Sequence, residues 1–298
     1  MKLGIWISAF RLRTLPLALS CIALGGFMAV FYDVFRWNVF LLTNWVAILL
    51  QVLSNLANDY GDSKHGADNL NRKGPARAVQ AGLISGSAMK KALVIMVILT
   101  FVSGIALLLV SFGWGTNFLI FLGLGLLSIA AAIAYTNGKR PYGYSGLGDI
   151  SVMIFFGIIG VLGSLYLYQQ QVHLPDIFPA LSCGFFATAV LNLNNTRDIN
   201  SDKLAGKNTI PVRLGRTNAV YYHWALLLSG FVCALIFAII YFHHIYQYLF
   251  LLALPLFIIN ARAVYVYKDE IQLDPYLKQL VLSTLVFVLL FGSGLILY

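Results

Sequence analysis

Two stretches of this chain set carboxylates and amides at helical spacing. The first, "NLANDYGDSKHGAD" (residues 55–68), places Asn55 and Asp59 four apart, with Asp62 one turn on. The second, "LNLNNTRDINSDKLAGKNTIPVRLG" (residues 191–215), places Asn194 and Asp198 four apart, with Asp202 one turn on. Positions i and i+4 share a helix face, so each stretch presents an amide and two carboxylates together. Carboxylates gathered this way repel one another unless something neutralises them. Oxygen donors of this kind suit Mg²⁺, which takes one or two carboxylates and fills its shell with water and substrate phosphate. Basic residues lie in the same stretches: Lys64, Arg72, Lys73 and Arg77 in the first, Lys203, Lys207 and Arg213 in the second. Arg offers planar bidentate contacts and Lys a point charge. Acid and base at one place point to a metal-bound polyanion such as a diphosphate. The plainer reading of one motif is a solvated helix end. Two motifs at matching helix ends with similar basic loops favour the site.

The elements that must position these groups are membrane spans. The 298 residues are 60% hydrophobic and 10% charged, with a mean hydropathy of +0.82, where a soluble domain has about 25% charged residues. Runs of about 20 apolar residues occur at 12–32, 38–60, 88–111, 116–136, 149–168, 177–197, 219–241, 245–267 and 277–298. They predict an all-α polytopic protein of nine spans with no separate soluble domain. The first run is long and no small-residue cleavage site follows it, so it reads as a retained span. Of the 20 Lys and Arg, every one but Arg36 falls on the side of the N-terminus and the 2–3, 4–5, 6–7 and 8–9 loops. The positive-inside rule makes that side cytoplasmic. The net charge of +9 then needs no nucleic-acid partner. Both carboxylate stretches close a span on that side, the second and the sixth. One shift in sequence relates Asn55 to Asn194 and Asp59 to Asp198, which suggests a four-helix repeat, about 38–136 and 177–267, within a single domain 1–298. Four helices keep the halves parallel, and the acids sit at one face. Both points disfavour a transporter, whose repeats are commonly inverted with sites at the midplane.

The motifs "LSNLANDYGD", "GPARAVQAG", "AYTNGKRPYGYSGLGDISV" and "NNTRDINSDKLAGKNTIPVRLG" resemble those of the UbiA-type intramembrane prenyltransferases, and the likeness runs along nearly the whole chain. Asp68 departs from the family's commoner spacing, lying six residues after Asp62. The resemblance implies nine helices around a cavity open to lipid, in a bacterial cytoplasmic (inner) membrane. It implies catalysis with Mg²⁺ held by Asp59, Asp62, Asp198 and Asp202. It places Asn55, Arg77, Tyr135, Lys139, Asn194 and Lys207 at the substrate; Tyr135 and Lys139 match a Y-x-x-x-K element of the family. The branch it most resembles implies a polyprenyl diphosphate donor and 1,4-dihydroxy-2-naphthoate as acceptor, in menaquinone synthesis. A sister branch that prenylates 4-hydroxybenzoate shares the aspartates. Donor chain length does not follow from the residues.

Other residues invite plainer readings. Asp149, after Gly148, is expected to cap the fifth span. Gly123 and Gly125 in "LGLGL" suggest close helix packing. His65, His243 and His244 read as loop residues. Cys21, Cys183 and Cys233 fall inside spans with no C-x-x-C pattern and are expected in apolar packing. The aromatics are 14% of the chain and offer cation–π partners for a carbocation.

Overall fold

A computed structural model describes residues 2–65 and 77–297. Asp68, Arg72 and Lys73 of the first basic loop lie outside these. Among the described residues, nine helical segments are long and apolar enough to cross a membrane. In hydrocarbon a helix satisfies its own backbone hydrogen bonds, and the sequence supplies the length. We number the helices α1 (Lys2–Phe10), α2 (Leu15–Phe31), α3 (Trp37–Lys64), α4 (Gly86–Phe112), α5 (Thr116–Ala134), α6 (Gly148–Gln169), α7 (Ile177–Arg197), α8 (Ile199–Leu204), α9 (Ile210–Ile240), α10 (Ile245–Val266) and α11 (Glu270–Ile296).

Helix ends follow local chemistry. The Ser85 side chain accepts from Ala88 N–H to start α4, and Asp269 accepts from Ile271 N–H to start α11, each satisfying an orphan donor of the first turn. Two additions were not expected. The N-terminal segment forms its own helix, α1, before the first span. α9 begins nine residues before the expected span, because a first turn precedes a break at Gly215 (φ 75°, ψ 165°), a conformation that favours glycine.

Helices α2 to α7 surround a cavity of about 640 Å³. It runs from Asn58, Tyr135 and Tyr142 at the end bearing the carboxylate motifs to Thr43, Phe121 and Tyr166 at the other. Within α6, residues Met153–Gly163 wind with the wider π spacing, and Phe155, Phe156 and Ile159 of this segment line the cavity. Beyond the cavity, α7, α9, α10 and α11 close on an aromatic core. The Phe186 ring lies 5.4 Å from Phe231, 4.6 Å from Phe257 and 4.8 Å from Phe287, centroid to centroid. α4 and α5 bury little of themselves in protein, and Val94, Ile98, Leu119 and Leu127 face outward.

Two local expectations are corrected. A Cβ added at Gly123 or Gly125 would meet nothing within 4 Å; Gly125 lines the cavity, so open space and not tight packing surrounds the pair. Asp149 does not cap its helix. Leu147 is the capping residue, and the buried Asp149 carboxylate accepts from the Tyr222 hydroxyl at 3.0 Å. The three cysteines are buried and free, as expected.

Candidate active site

The last turns of α3 are fixed by contact with the end of α5. A Cβ at Gly61 would lie 2.5 Å from the Thr136 carbonyl oxygen. Thr136 Oγ1 and Asn137 Nδ2 donate to the Ala57 carbonyl at 3.0 and 2.9 Å. Glycine in "NDYGD" therefore lets α5 approach, and that approach sets how Asp59 and Asp62 face the site.

Asp59 and Asp62 are both buried, and their partners differ. The Asp59 carboxylate accepts the backbone N–H groups of Ala78 and Val79 at 3.1 and 3.4 Å, so it holds the chain that returns from the first basic loop. Asp62 pairs with the Arg77 guanidinium, accepts from the Tyr144 hydroxyl, and lies 3.1 Å from Lys207 Nζ. Arg77 also donates to the Asn58 carbonyl at 2.9 Å. Lys207 Nζ is 3.9 Å from Asp202 and 4.7 Å from the centre of the Tyr144 ring. One ammonium thus sits between a carboxylate of each motif, over an aromatic face.

The second motif is not one continuous helix. α7 ends at Arg197, and Asp198 (φ −92°, ψ 13°) joins it to the short α8. The turn persists across the break, because Asp202 N–H still donates to the Asp198 carbonyl at 2.8 Å. Arg197 clamps Asp198 with two bonds of 2.7 Å, bonds Asn194 Oδ1 at 3.0 Å and reaches Asp274 of α11 at 2.6 Å. Asp274 in turn lies 3.9 Å from Arg13.

The loop between α5 and α6 joins the two motifs. Asn208 N–H donates to the Tyr144 carbonyl at 2.8 Å, and Arg213 Nη2 donates to the Ser145 carbonyl at 2.6 Å. Gly146 adopts φ 75°, and a Cβ there would meet Arg213 and the Asn208 carbonyl within 2.8 Å. His65 spans two carbonyls, Gly61 at 2.9 Å and Gly138 at 3.0 Å. Tyr135 lines the cavity with its ring centroid 5.3 Å from that of Tyr142. The Tyr142 hydroxyl bonds the Ala131 carbonyl at 3.0 Å and Ser151 at 3.1 Å. Burial pushes the Tyr142 phenol above its ordinary value, and the Ser151 hydrogen bond offsets part of that.

Set against the sequence reading, the structure gathers Asp62, Asp202, Arg77 and Lys207. Asn194 and Asp198 join them through the chain but are held by Arg197. Asn55 is buried and ties α3 to the N-terminal segment, donating to the Phe10 carbonyl at 2.9 Å and to Thr14 at 3.0 Å. Lys139 is exposed and lines a separate groove with Lys64 and Lys90. Three partners had no forecast: Tyr144, Arg197 and Asp274. Arg197 was readable beside Asp198 in "TRD"; nothing in the spacing singles out the other two.

Among the described residues no group of three acidic or sulfur and imidazole side chains is close enough to hold a metal ion. The donors nevertheless fit a hard cation. Asp62 and Asp202 already hold one cation, the Lys207 ammonium, between them. They offer carboxylate oxygen with no thiolate or imidazole, the set that suits Mg²⁺.

The model of the UbiA prenyltransferase family matches residues 18–277. The chain belongs to that family. Over 292 residues, 98% of this chain and 95% of the relative, it is 48% identical to the 1,4-dihydroxy-2-naphthoate octaprenyltransferase of Escherichia coli. It is 43% identical to the protein of the same name from Haemophilus influenzae, over 99% and 96% of the two chains. The fold matches the apo UbiA homolog of Aeropyrum pernix with a TM-score of 0.70 at 17% identity, covering 95% and 97%. It matches a UbiA homolog of Archaeoglobus fulgidus bound to DMAPP and Mg²⁺ with a TM-score of 0.60 at 16% identity, covering 96% and 98%. The apolar cavity and the polar cluster at its mouth are thus parts of a UbiA prenyltransferase, an all-helical enzyme of the membrane.

Proposed function

We propose that this UbiA enzyme transfers a polyprenyl group from polyprenyl diphosphate to 1,4-dihydroxy-2-naphthoate, releasing CO₂ and diphosphate and giving demethylmenaquinol, then demethylmenaquinone by oxidation. The observation that carries the reading is the junction of both carboxylate motifs through Lys207 at the polar end of an apolar cavity. The near full-length identity to the two named octaprenyltransferases supports the acceptor and favours an octaprenyl donor. The motif-bearing side is taken as cytoplasmic and the membrane as the bacterial inner membrane.

The chain's own groups divide the work. The cavity takes the apolar tail, and the cluster takes the diphosphate. Mg²⁺ held by Asp59, Asp62, Asp198 and Asp202 would neutralise charge growing on the leaving diphosphate. Lys207 and Arg77, which pair with Asp62, supply positive charge for the diphosphate oxygens. The allylic C–O bond breaks and its electron pair leaves with diphosphate. The Tyr135, Tyr142 and Phe155 rings along the cavity stabilise the cation by their quadrupoles and keep out water that would capture it. The acceptor hydroxyl ortho to the reacting carbon feeds electrons into the ring, and that carbon bonds the prenyl cation. It bears the carboxylate, so restoring aromaticity expels CO₂ in place of a proton.

The test uses membranes, a polyprenyl diphosphate, Mg²⁺ and each acceptor labelled at its carboxyl carbon. Label released as CO₂ from the naphthoate, with no prenylated 4-hydroxybenzoate, is the expected result. Label retained in prenylated 4-hydroxybenzoate reassigns the acceptor and leaves the aspartate site standing. Reporter fusions at positions 75, 140, 205 and 272 should all report cytoplasm; an exported signal at 205 overturns the orientation.

A further inference from the structure

A second groove, of about 660 Å³, opens on the same side of the bundle as the carboxylate motifs. It lies between the last turn of α3, the first turns of α4 and the loop after α5. Its rim carries Lys64, His65, Lys90 and Lys139, and its wall includes Val94, Val97 and Ile98. Lys90, Val94 and Ile98 recur every four residues and form one stripe of α4. Charge therefore gives way to hydrocarbon over roughly 12 Å along that helix, at 1.5 Å per residue.

The wall is open to the bilayer. Val94 is 53% and Ile98 55% exposed, and only 22% of the apolar window of α4 and 11% of that of α5 are buried in protein. Lipid must cover such a surface; its rim decides which lipid. Among the described residues no carboxylate forms an ion pair with Lys64, Lys90 or Lys139. The Lys64 ammonium lies 4.5 Å from the centre of the Tyr60 ring, which holds it at the rim without neutralising it. A zwitterionic headgroup brings no net charge to three gathered cations, whereas an anionic one does. Basic pockets between transmembrane helices bind anionic headgroups on this physical ground.

We infer that this groove holds an anionic glycerophospholipid of the leaflet on the carboxylate side. Its phosphate lies among Lys64, Lys90 and Lys139, and an acyl chain runs along Val94 and Ile98. The inference is independent of the acceptor. The prenyl diphosphate is also an anionic amphiphile, but among the described residues that line the groove there is no carboxylate to share a divalent cation with a diphosphate.

The test is native mass spectrometry of the detergent-purified full chain, titrated with phosphatidylglycerol and phosphatidylcholine of matched acyl chains. Wild type should retain one phosphatidylglycerol with about tenfold preference, and the preference should collapse at high salt. Lys64→Gln with Lys90→Gln should bring the ratio to about one. Val94→Trp, which fills the wall and leaves the charges, should lower phosphatidylglycerol retention by itself. Equal retention of both lipids by wild type overturns the inference whatever the variants do. So does an unchanged preference in the double variant. Displacement of the lipid one for one by farnesyl diphosphate would also overturn it and make the groove a substrate entry.

Discussion

The two carboxylate motifs share residue types and spacing, yet they are held in opposite ways. In the first, α3 runs unbroken through Asp59 and Asp62, and the neutralising groups come from elsewhere: amides at 78 and 79, Arg77, Tyr144 and Lys207. In the second, the helix breaks at Asp198, and the clamp is the adjacent Arg197. The first motif therefore organises loops that lie far from it in sequence. The second organises itself, and through Asp274 it anchors α11. Equal sequence spacing does not give equal mechanical roles. Asp62 is the point where both meet, because its partner Lys207 belongs to the loop of the second motif.

The largest effect should come from the carboxylates. Asp62→Asn and Asp202→Asn keep shape and remove charge; each should lower turnover by about 10³-fold, the scale of losing one preorganised electrostatic group. Asp59→Ala and Asp198→Ala should also remove nearly all turnover. Prenyl transfer in membranes, normalised to protein level, measures this. Chelation by EDTA should abolish activity and Mg²⁺ restore it. Near-normal turnover in Asp202→Asn with loss in Asp62→Asn would mean that the motifs do not act as one site.

Next is Arg197→Ala, which separates the motifs by stability. It leaves buried Asp198 without its clamp and removes the Asp274 contact. Breaking a buried pair on one side costs about 3–5 kcal/mol; Asp274 is 38% exposed, so the lower end is expected. Thermal unfolding in detergent should show a clear fall in midpoint. Asp274→Asn should cost less, because the remaining Arg197–Asp198 pair is intact, and the double variant should be non-additive. An additive pair would show that the second motif does not anchor α11 through this link.

Much of this was legible before the structure. The spans were readable because lipid demands long apolar runs, and the aspartates because few forces put carboxylates at span ends. Arg77 and Lys207 stood among the basic residues expected at a polyanion, and the structure sets both against Asp62. What escaped was set by tertiary approach. Tyr144 sits in a Gly-rich loop whose path depends on Gly146 and on Asn208 across the gap. Asp274 lies 76 residues beyond Asp198, and pairing over that distance has no periodic signal. Asn55 looked like part of a ligand face from its spacing; its amide donates to the Phe10 carbonyl at the end of α1, itself unforeseen, and to Thr14. Lys139 shares a helix end with Tyr135, but the turn at Gly138 (φ 103°) sends it to another groove.

Lys207→Met comes third. It removes the shared cation while keeping an apolar stem, so Asp62 and Asp202 face each other less screened. Both motifs should suffer together: a rise in KM for the prenyl diphosphate and a fall in kcat, about 10²-fold in kcat/KM, the lower end for one electrostatic group. Lys207→Arg should recover part of the loss. An effect on KM alone would confine Lys207 to binding.

The smallest effect is expected from Tyr144, the residue that touches both motifs without charge. Tyr144→Phe keeps the ring beneath the Lys207 ammonium and the backbone carbonyl that accepts from Asn208; it removes only the hydroxyl that donates to Asp62. A hydrogen bond to a charged group contributes about 1.5–3 kcal/mol. Arg77 and Lys207 remain on Asp62, so the lower end applies, about tenfold in kcat/KM. Tyr144→Leu removes the ring face as well and should lose a further factor of about two to five, from a cation–π contact of about 0.5–1 kcal/mol. Lys207→Met should erase the difference between the Phe and Leu variants, since the ring then has no ammonium above it. If the difference survives in the Met background, the ring acts through packing, and the link between the two motifs rests on Lys207 and Asp62 alone.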